Sequence, residues 1–541
     1  MAEPDADGRT PGVRTPLILT FDMGTQSARA LLINPWGEII NKVQKVYDPP
    51  YYSKQPGWAE QRPDFYWDSL CETSRALREK AGTLWHDIIA VTCATIRDTC
   101  LCLDHNLKPL RDVILWIDDR KVQSPGPLPP LPRLFLKIAG MREGVDLQRR
   151  ISHCNWIAEN EPEIWDRTGK FVFISTWLNY KLCGNLLDST ASVIGHIPYD
   201  YRLRTWMKPG DIRRIIWDKL GEEKLFDLVD PGETLGNITA ETAGATGITE
   251  GLPLIATGSD KGCETLGLSC LSPDKGALSF GTTATVQLSV RHYLEPLPYM
   301  PAYPGVVQGY YNPEIEIYRG YWLLSWFKRE FAAKEMAEAQ RLGTSAERLL
   351  DERLKEIRPG CDGLIMQPYF TPGIDMPFAK GAIIGFSDIH TRIHVYRAII
   401  EGINFALMEG LRGMEKRGRL KVRELYVAGG GSQSSEVCRI TASMFGVPVY
   451  RTQTHEVTGI GSSLAAFVAR GIFSSCEEAV KEMVHIKDEF LPVEEDHQIY
   501  GEIYERIFSK MFSRLSSFYQ EINGIISQPR PGKGRRGKSS R

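Results

Sequence analysis

The distribution of apolar and polar positions near the start of the chain predicts three short β-strands joined by tight turns. The first apolar run covers residues 17–21 and leads into the polar segment Asp22-Met23-Gly24-Thr25. A second apolar run over 28–33 follows, and a turn around Gly37 leads into a third run over 39–47. Apolar runs bounded by glycine, proline and acidic residues are typical of strands. The pattern therefore predicts a meander whose first corner is polar.

The rest of the first half of the chain is predicted to mix helices and strands. Apolar residues at helical spacing predict a helix over 64–80, and a second helix is predicted over 163–182. Strands are predicted over four segments: 88–94, 100–103, 113–116 and 253–257. The strand over 253–257 ends in a turn that contains Asp260, and a helix over 263–268 follows it.

Charged residues follow three of these strands. Arg97 and Asp98 follow the strand over 88–94, Asp118 and Arg120 follow the strand over 113–116, and Asp260 follows the strand over 253–257. Ligands of open α/β sheets gather at such strand ends. Surface ion pairs are the alternative for the first two sets, and a helix N-cap is the alternative for Asp260.

The second half of the chain repeats the opening pattern. Strands predicted over 276–280 and 284–290 flank the turn Gly281-Thr282-Thr283, which lacks an acid. Two such hairpins, each opening one half of the chain, indicate two related domains that face each other over a phosphate. Further helices are predicted over 318–331, 395–416, 436–445 and 460–470, and further strands over 363–369, 424–428 and 447–450.

The glycine-containing turns indicate a nucleotide site. Gly24 can adopt a positive φ, so that backbone N–H groups converge on an anion, and Asp22 beside it can hold a divalent cation. A magnesium–phosphate group satisfies both features, whereas an ordinary hairpin turn explains the motif equally well. The three glycines Gly429, Gly430 and Gly431 between a predicted strand and a predicted helix let an anion approach the helix N-terminus.

Composition narrows the class of protein further. The chain has 541 residues and a formal net charge of −2, which gives no electrostatic case for nucleic acid binding. No apolar run is long enough for a membrane span, and the first 16 residues lack the apolar core of a signal peptide. The 11 cysteines are odd in number and contain no CxxC pair, which predicts reduced thiols in a cytoplasmic protein.

Several of these segments together resemble the FGGY carbohydrate kinases of the actin/hexokinase-like superfamily, over about residues 17–520. The most specific segments are 381–386, 394–395 and 398–402, which resemble the C-terminal signature of the family, with Phe386 at a position that is usually aliphatic. Segments 22–29 and 279–283 resemble its two phosphate loops, and 427–433 resembles its adenosine loop. Trp116-Ile117-Asp118-Asp119-Arg120 also fits the family.

The resemblance implies an α/β fold with two ribonuclease H-like (actin/hexokinase-like) domains around an interdomain cleft. An N-terminal domain over 17–271 would bind the sugar and carry the first phosphate loop and the catalytic base. A C-terminal domain over 272–520 would bind ATP. The basic segment 521–541 is predicted to be a disordered, solubilising tail, and binding of an acidic partner is the alternative for it.

The resemblance also implies roles for individual residues. Asp260 would be the catalytic base that accepts the proton of a substrate hydroxyl as its oxygen attacks the γ-phosphorus of ATP. Asp22 would hold Mg²⁺, directly or through water. The residues implied for ATP binding are Thr25, Gln26, Ser27, Arg29, Gly281, Thr282, Gly430, Gly431 and Gln433. The residues implied for substrate binding are Arg97, Asp98, Asp260 and Lys261.

The substrate is implied only as a class, a small sugar or polyol. Arg97 and Asp98 fall where glycerol kinases carry an Arg-Glu pair that binds polyol hydroxyls, whereas segment 55–63 looks more like xylulokinases. Lys261 stands where glycerol kinases place Gln, and the Gly-Glu-Arg motif common in the family is missing at 372–377. A ketose such as xylulose or ribulose and a glycerol-like polyol both remain open, as does a homodimeric state.

Two other classes of protein compete with a kinase. A catalytically silent sugar- or nucleotide-sensing protein could use the same fold, because fold does not fix function. A chaperone-like ATPase is the second alternative, but no separate peptide-binding domain is apparent. His390 and His394 are four residues apart and could bind zinc on one helical face, whereas helix capping and core contacts explain them as well.

Overall fold

The computed structural model describes residues 14–123, 125–138, 142–371, 373, 376 and 378–526. The elements of the first half, called the first lobe, cover residues 17–267. They are β1 (Leu17–Met23), β2 (Ser27–Ile33), β3 (Ile39–Val46), β4 (Glu60–Gln61), α1 (Pro63–Ala81), β5 (Ile88–Thr95), β6 (Cys100–Leu103), β7 (Val113–Ile114), α2 (Pro130–Ile138), α3 (Arg142–Ile151), α4 (His153–Asn160), α5 (Pro162–Arg167), β8 (Lys170–Phe173), α6 (Ile174–Cys183), β9 (Leu187–Ser189), β10 (Tyr199–Asp200), β11 (Thr205–Trp206), β12 (Asp227–Val229), β13 (Thr234–Asn237), α7 (Ala240–Thr246), β14 (Pro253–Ile255) and α8 (Asp260–Gly267).

The elements of the second half, called the second lobe, cover residues 275–526. They are β15 (Lys275–Phe280), β16 (Ala284–Leu288), β17 (Tyr303–Pro304), β18 (Tyr311–Asn312), β19 (Glu314–Ile317), α9 (Trp322–Phe331), α10 (Ala333–Leu342), α11 (Ala346–Glu352), β20 (Ile365–Gln367), β21 (Ala382–Ile384), α12 (Arg392–Gly418), β22 (Glu424–Ala428), α13 (Ser435–Phe445), β23 (Val449–Thr452), α14 (Val457–Ala469), α15 (Cys476–Met483), β24 (Ile486–Phe490), α16 (Glu494–Ile503) and α17 (Ser509–Ile526).

Each lobe is built on a six-stranded sheet, and the two sheets have the same sequence of strand directions. They differ in connection at one edge, where β13 precedes β14 in the chain but β24 follows β23. The first has the order β13-β14-β5-β1-β2-β3 and the second the order β19-β16-β15-β22-β23-β24. In each sheet a three-stranded antiparallel meander is followed by two parallel strands and an antiparallel edge strand. The corners β1–β2 and β15–β16 therefore occupy equivalent places, which agrees with the two related domains that the sequence predicts.

Helix α14 joins the two lobes, because it follows β23 in the second lobe but packs on the sheet of the first. Ile460 and Leu464 share an apolar cluster with Ile18 and Leu31 of the first sheet. Buried hydroxyl groups also meet at this interface, where the Oγ1 of Thr20 and the Oγ of Ser463 are 2.8 Å apart. Hydrogen bonds between buried polar groups remove the cost of burying them.

Helices α8 and α14 approach each other closely where both carry glycine. A Cβ at Gly461 would lie 1.9 Å from the carbonyl oxygen of Cys263, and a Cβ at Gly267 would lie 2.0 Å from that of Val457. No side chain fits at such distances from backbone atoms. Asp260 is the first residue of α8, so this contact at the middle and the last residue of the helix fixes the helix that carries the candidate base.

The structure corrects several predicted boundaries. The prediction of one helix over 163–182 is wrong, because the segment forms two helices, α5 and α6. The strand β8 lies between them and pairs antiparallel with β6. The predicted first residue of the tail, 521, is also wrong, because α17 continues to Ile526. Residues 527–541 lie outside the described part of the chain, as do residues 372, 374, 375 and 377 of the segment where the Gly-Glu-Arg motif is missing.

We expect Gly461→Ala to lower the thermal unfolding midpoint, because the added methyl group has no space between α14 and α8. Overpacking of this kind costs about 1–3 kcal/mol. Gly244→Ala is the control, since it adds a methyl group to an exposed position of α7 that meets no atom within 4 Å. The control should raise the midpoint slightly, and equal effects of the two substitutions would contradict the proposed contact.

Candidate functional site

The first Gly-Thr corner carries Asp22 and Arg29 opposite each other on β1 and β2. The two residues are paired in the strand register, and the Nη1 of Arg29 donates to the Oδ2 of Asp22 at 2.8 Å. In the turn, the N–H of Gly24 donates to the carbonyl of Ser27 at 3.0 Å. The Nε1 of Trp116 donates to the Oγ1 of Thr25 at 2.9 Å. The corner is thus a tight turn in which Asp22 and Arg29 form an ion pair.

A buried glutamate extends this ion pair to the second lobe. Glu456 immediately precedes α14, and its carboxylate lies 3.3 Å from the Nε of Arg29 and 2.7 Å from the Nζ of Lys42. The side chain of Arg29 is therefore shared between Asp22 and Glu456. The side chain of Arg29 remains about three-tenths exposed.

The second Gly-Thr corner is a turn that is one residue shorter than the first and lacks the acid. The N–H of Gly281 donates to the carbonyl of Thr283 at 3.1 Å, and the N–H of Trp322 donates to the carbonyl of Thr282 at 3.3 Å. The loop after β22 is close by, because a Cβ at Gly429 would lie 2.7 Å from the carbonyl carbon of Phe280. Gly429 has a φ of 80°, which favours glycine.

The glycine-rich loop forms one helical turn, Gly430–Gln433, before α13 begins. A Cβ at Gly430 would meet no atom within 4 Å, whereas one at Gly431 would lie 2.3 Å from the ring of Tyr321. The guanidinium of Arg451 donates to the carbonyl of Gln433 at 2.9 Å and fixes the turn. The backbone at Gly430 therefore faces open space in which a ligand can approach it.

Asp260 is the first residue of α8 and does not cap it. Ser259 is the N-cap, since its Oγ accepts the N–H of Gly262 at 3.2 Å. The carboxylate of Asp260 accepts the N–H of Lys261 at 2.8 Å, and the hydroxyl of Thr458 donates to its carbonyl at 3.4 Å. The N-cap alternative for Asp260 is thus wrong, and its side chain stays available at the cleft.

Two ion pairs involve Arg97, whose charge acts on Asp260, and its neighbour in sequence, Asp98. The guanidinium of Arg97 makes a two-pronged contact with Glu314 of β19, with its Nη2 at 3.2 Å from the Oε1. The ring of Tyr303 lies 5.4 Å below the same guanidinium. The Nδ1 of His196 lies 2.6 Å from the Oδ2 of Asp98.

Lys261 links the candidate base to the second sheet. Its Nζ lies 3.0 Å from the Oε1 of Glu264 and donates to the Oγ of Ser279 at 2.5 Å. Ser279 belongs to β15, next to the second Gly-Thr corner. The structure therefore places Asp260 where its charge acts on Asp22 and where its neighbour Lys261 reaches the second Gly-Thr corner.

Known proteins were compared with this chain and this site. The model of the N-terminal domain of the FGGY family of carbohydrate kinases matches residues 17–267, and the model of its C-terminal domain matches residues 276–470. The chain belongs to the FGGY family of carbohydrate kinases. It is accordingly an enzyme that phosphorylates a sugar or polyol hydroxyl with ATP, and its fold is the two-domain actin/hexokinase-like fold.

Individual relatives are distant in sequence and similar in fold. The xylulose kinase of Lactococcus lactis subsp. lactis (strain IL1403) is 26% identical over 489 residues, which are 88% of this chain and 92% of that protein. The ligand-bound xylulose kinase from Lactobacillus acidophilus has a TM-score of 0.79 at 19% identity and covers 94% of this chain and 100% of its own. The gluconate kinase from Lactobacillus acidophilus gives the same four values.

Other side chains singled out in the sequence have structural contacts in this kinase. Asp118 and Arg120 form an ion pair at 2.7 Å with both side chains fully buried, so they are not the surface pair considered above. His394 takes part in the capping box of α12, and the Nε2 of His390 lies 3.1 Å from the carbonyl of Cys361. Among the described residues no group of three or more His, Cys, Asp or Glu could hold a metal ion, so the zinc site has no support.

The sequence reasoning missed several charged residues of the site: His196, Glu314, Glu316 and Glu456. Two of them carried a signal, since Glu314-Ile315-Glu316-Ile317 alternates acid and apolar residues as a half-buried strand does. The others are brought to the site by segments far away in sequence.

Within the described part of the chain, no helix is long and apolar enough to cross a membrane.

The carboxyl groups near the first corner have the charge and the oxygen ligands that suit a divalent cation. Burial raises the pKa of Asp22 to about 6, against the lowering effect of Arg29, and the negative charge of Asp260 raises it further. Burial also raises the pKa of Asp260, although Arg97 and Lys261 oppose this. Two carboxylates that act on each other in a partly dry cleft favour a cation between them, and carboxylate oxygens are ligands that Mg²⁺ prefers.

We expect Asp22→Asn to raise the thermal unfolding midpoint of the nucleotide-free, metal-free enzyme at pH 7.5. The folded-state pKa of Asp22 is raised from 3.8 to about 6, so ionisation of Asp22 lowers stability progressively between these two pH values and by the full amount above pH 6. A shift of this size corresponds to about 1–3 kcal/mol. The gain should shrink towards pH 4, where Asp22 is protonated when folded.

The control for this prediction is Asp64→Asn, in the exposed first turn of α1. It removes a favourable charge at a helix N-terminus and should lower the midpoint by a small, nearly constant amount above pH 5. A lower midpoint for Asp22→Asn at pH 7.5, or a gain that does not depend on pH, would contradict the electrostatic account.

Proposed function

We propose that in this carbohydrate kinase Asp260 is the general base and Asp22 the ligand of Mg²⁺. The observation that carries the proposal is the position of Asp260. It begins α8, which Lys261 ties to β15 beside the second Gly-Thr corner, and its charge acts on Asp22 at the first corner. A carboxylate between two anion-binding turns is suited to face the reacting hydroxyl and the terminal phosphate.

In the proposed reaction the carboxylate of Asp260 accepts the proton of a substrate hydroxyl as that oxygen bonds to the γ-phosphorus of ATP. The bond between the γ-phosphorus and the β–γ bridging oxygen breaks, and ADP leaves with that electron pair. The products are the sugar phosphate, ADP and a proton on Asp260. The raised pKa of Asp260 makes it a better proton acceptor than an exposed aspartate.

The other residues of the site position and stabilise charge. Thr25, Gly281 and Thr282 at the two corners would donate to the β- and γ-phosphates, and Arg29 would add a positive charge there. Mg²⁺, when bound near Asp22, would neutralise charge on the phosphates. The backbone at Gly430 and Gly431, with Gln433, would border the α-phosphate and the adenosine, since Gly430 faces open space.

The acceptor is proposed as a small sugar or polyol, with Arg97, Asp98 and Lys261 as further contacts. Two of the similar proteins are named xylulose kinase and one is named gluconate kinase, so the comparisons do not choose among acceptors. The cytoplasm is the proposed compartment. All eleven cysteines are free thiols, which is in keeping with a reducing environment.

We expect Asp260→Asn to abolish acceptor-dependent turnover while leaving nucleotide binding intact. The amide keeps the size of the side chain but cannot take the proton, and loss of a general base typically costs about 10²–10⁴-fold in rate. ADP release is measured over a panel of ketoses and small polyols, and MgADP binding is measured by calorimetry. Asp64→Asn is the matched control and should behave as the wild type.

Three outcomes of this assay separate the alternatives. Acceptor-stimulated ADP release that is lost in Asp260→Asn supports the proposed roles. Acceptor binding without turnover in the wild type would instead fit the silent sensor, for which the comparisons give no support. ATP hydrolysis that ignores every acceptor, or turnover that survives Asp260→Asn, would overturn the assignment of the base.

A further inference from the structure

The acceptor side of the cleft holds an acidic residue that neither the motifs nor the proposed reaction uses. Glu316 lies on β19, where Glu314 and Glu316 share one face of the strand and Ile315 and Ile317 share the other. The two isoleucines belong to the apolar core of the second lobe. The two glutamates must therefore face away from that core.

This acidic face of β19 points to α8 and the acceptor side. Glu314 contacts Arg97 of the first lobe, and the next strand, β16, places Gln287 beside Glu314, where it accepts from Thr265 of α8. Glu316 lies close enough to Asp260, Arg97 and Lys261 for their charges to act on its ionisation. Glu316 is thus part of the surroundings of the candidate base.

The cationic side chains around Asp260 already have carboxylate partners. Arg97 is paired with Glu314, and Lys261 is paired with Glu264 at 3.0 Å. His196 is paired with Asp98 at 2.6 Å, and this carboxylate raises the pKa of the imidazole. Each positive charge is therefore matched by a negative charge before any acceptor binds.

Asp260 and Glu316 belong to none of these three ion pairs, although the charges of Arg97 and Lys261 act on both carboxylates. Burial, and to a lesser extent the negative charge of Glu314, raises the pKa of Glu316 to about 7, so that Glu316 is mostly ionised at pH 8. A site with surplus negative charge attracts hydroxyl donors and repels a carboxylate or phosphate on the acceptor. Arg97 or Lys261 could receive an anionic acceptor only by giving up its partner.

We propose that Glu316 is a specificity-determining residue of the acceptor site, which accepts hydrogen bonds from an uncharged polyol or ketose and disfavours sugar acids. This inference rests on the proposed function, because it places the acceptor beside Asp260. It assigns a substrate class to this chain and sets it apart from the gluconate kinase that shares its fold.

The test compares kcat and KM for acceptors matched in chain length, xylitol or D-xylulose against D-xylonate and sorbitol against D-gluconate, at pH 8. The wild type should favour the uncharged member by about tenfold or more in kcat/KM. In Glu316→Gln, KM for the uncharged acceptor should rise several-fold with a smaller change in kcat. The preference over the acid should fall by about tenfold, because the amide carries no charge.

Two further variants make the result specific. Glu489→Gln is the matched control, since Glu489 lies on β24 at the opposite edge of the same sheet. It should leave the preference unchanged. Glu314→Gln releases Arg97 from its ion pair, so it should improve kcat/KM for the acids relative to the uncharged acceptors.

The outcomes separate this inference from the proposed function. A wild type that favours the acids, or a preference that is the same in Glu316→Gln and Glu489→Gln, overturns the role of Glu316 while leaving Asp260 as the base. If no acceptor of either kind gives Asp260-dependent turnover, the proposed function fails and the inference fails with it. A loss of stability in Glu316→Gln without a change in preference also overturns the inference.

Discussion

The burial of two carboxylates, Asp22 and Asp260, is the constraint on which the cleft depends. Each one is delivered by a different element, at the end of β1 and at the start of α8, and each has its pKa raised by burial. In the nucleotide-free state Arg29 offsets the charge of Asp22, and Arg97 and Lys261 offset that of Asp260. The site is therefore arranged around negative charge that a bound cation can relieve.

The fold keeps these groups in place because the two lobes are built on similar sheets and pack against each other. Equivalent corners of the two sheets supply the two Gly-Thr turns, and α14 crosses from the second lobe to the sheet of the first. The glycine contact between α8 and α14 leaves no space for a side chain, so α8 is held closely against α14. This rigidity favours catalysis by positioning, which is the main contribution of proteins to phosphoryl transfer.

The sequence predicted the parts of this arrangement that depend on local pattern. The strands over 100–103 and 424–428 have the predicted bounds, and both Gly-Thr corners are hairpins. The helix over 163–182 was wrong because β8 is a short apolar run whose strand state depends on pairing with β6, a distant segment. Asp260 could not be distinguished from a cap by sequence, since the adjacent Ser259 is an equally good N-cap residue.

The charge pairs of the acceptor side could not be predicted for the same reason. Asp98 meets His196, and Arg97 meets Glu314 of the other lobe, so each partner is chosen by the tertiary fold. The sequence identified one member of each pair, Arg97 or Asp98. The other member, Glu314 or His196, is apparent only from the structure. The balance of charge at the acceptor site is therefore a property of the assembled cleft, which no single segment of the sequence contains.

The most direct test of the central claim is a crystal structure with Mg²⁺, a non-hydrolysable ATP analogue and the best acceptor. The account predicts the metal on the side of Asp22, the terminal phosphate between the two Gly-Thr corners, and a carboxylate oxygen of Asp260 about 3 Å from the acceptor hydroxyl that faces the γ-phosphorus. A nucleotide bound away from both corners, or an acceptor hydroxyl held by a residue other than Asp260, would contradict it.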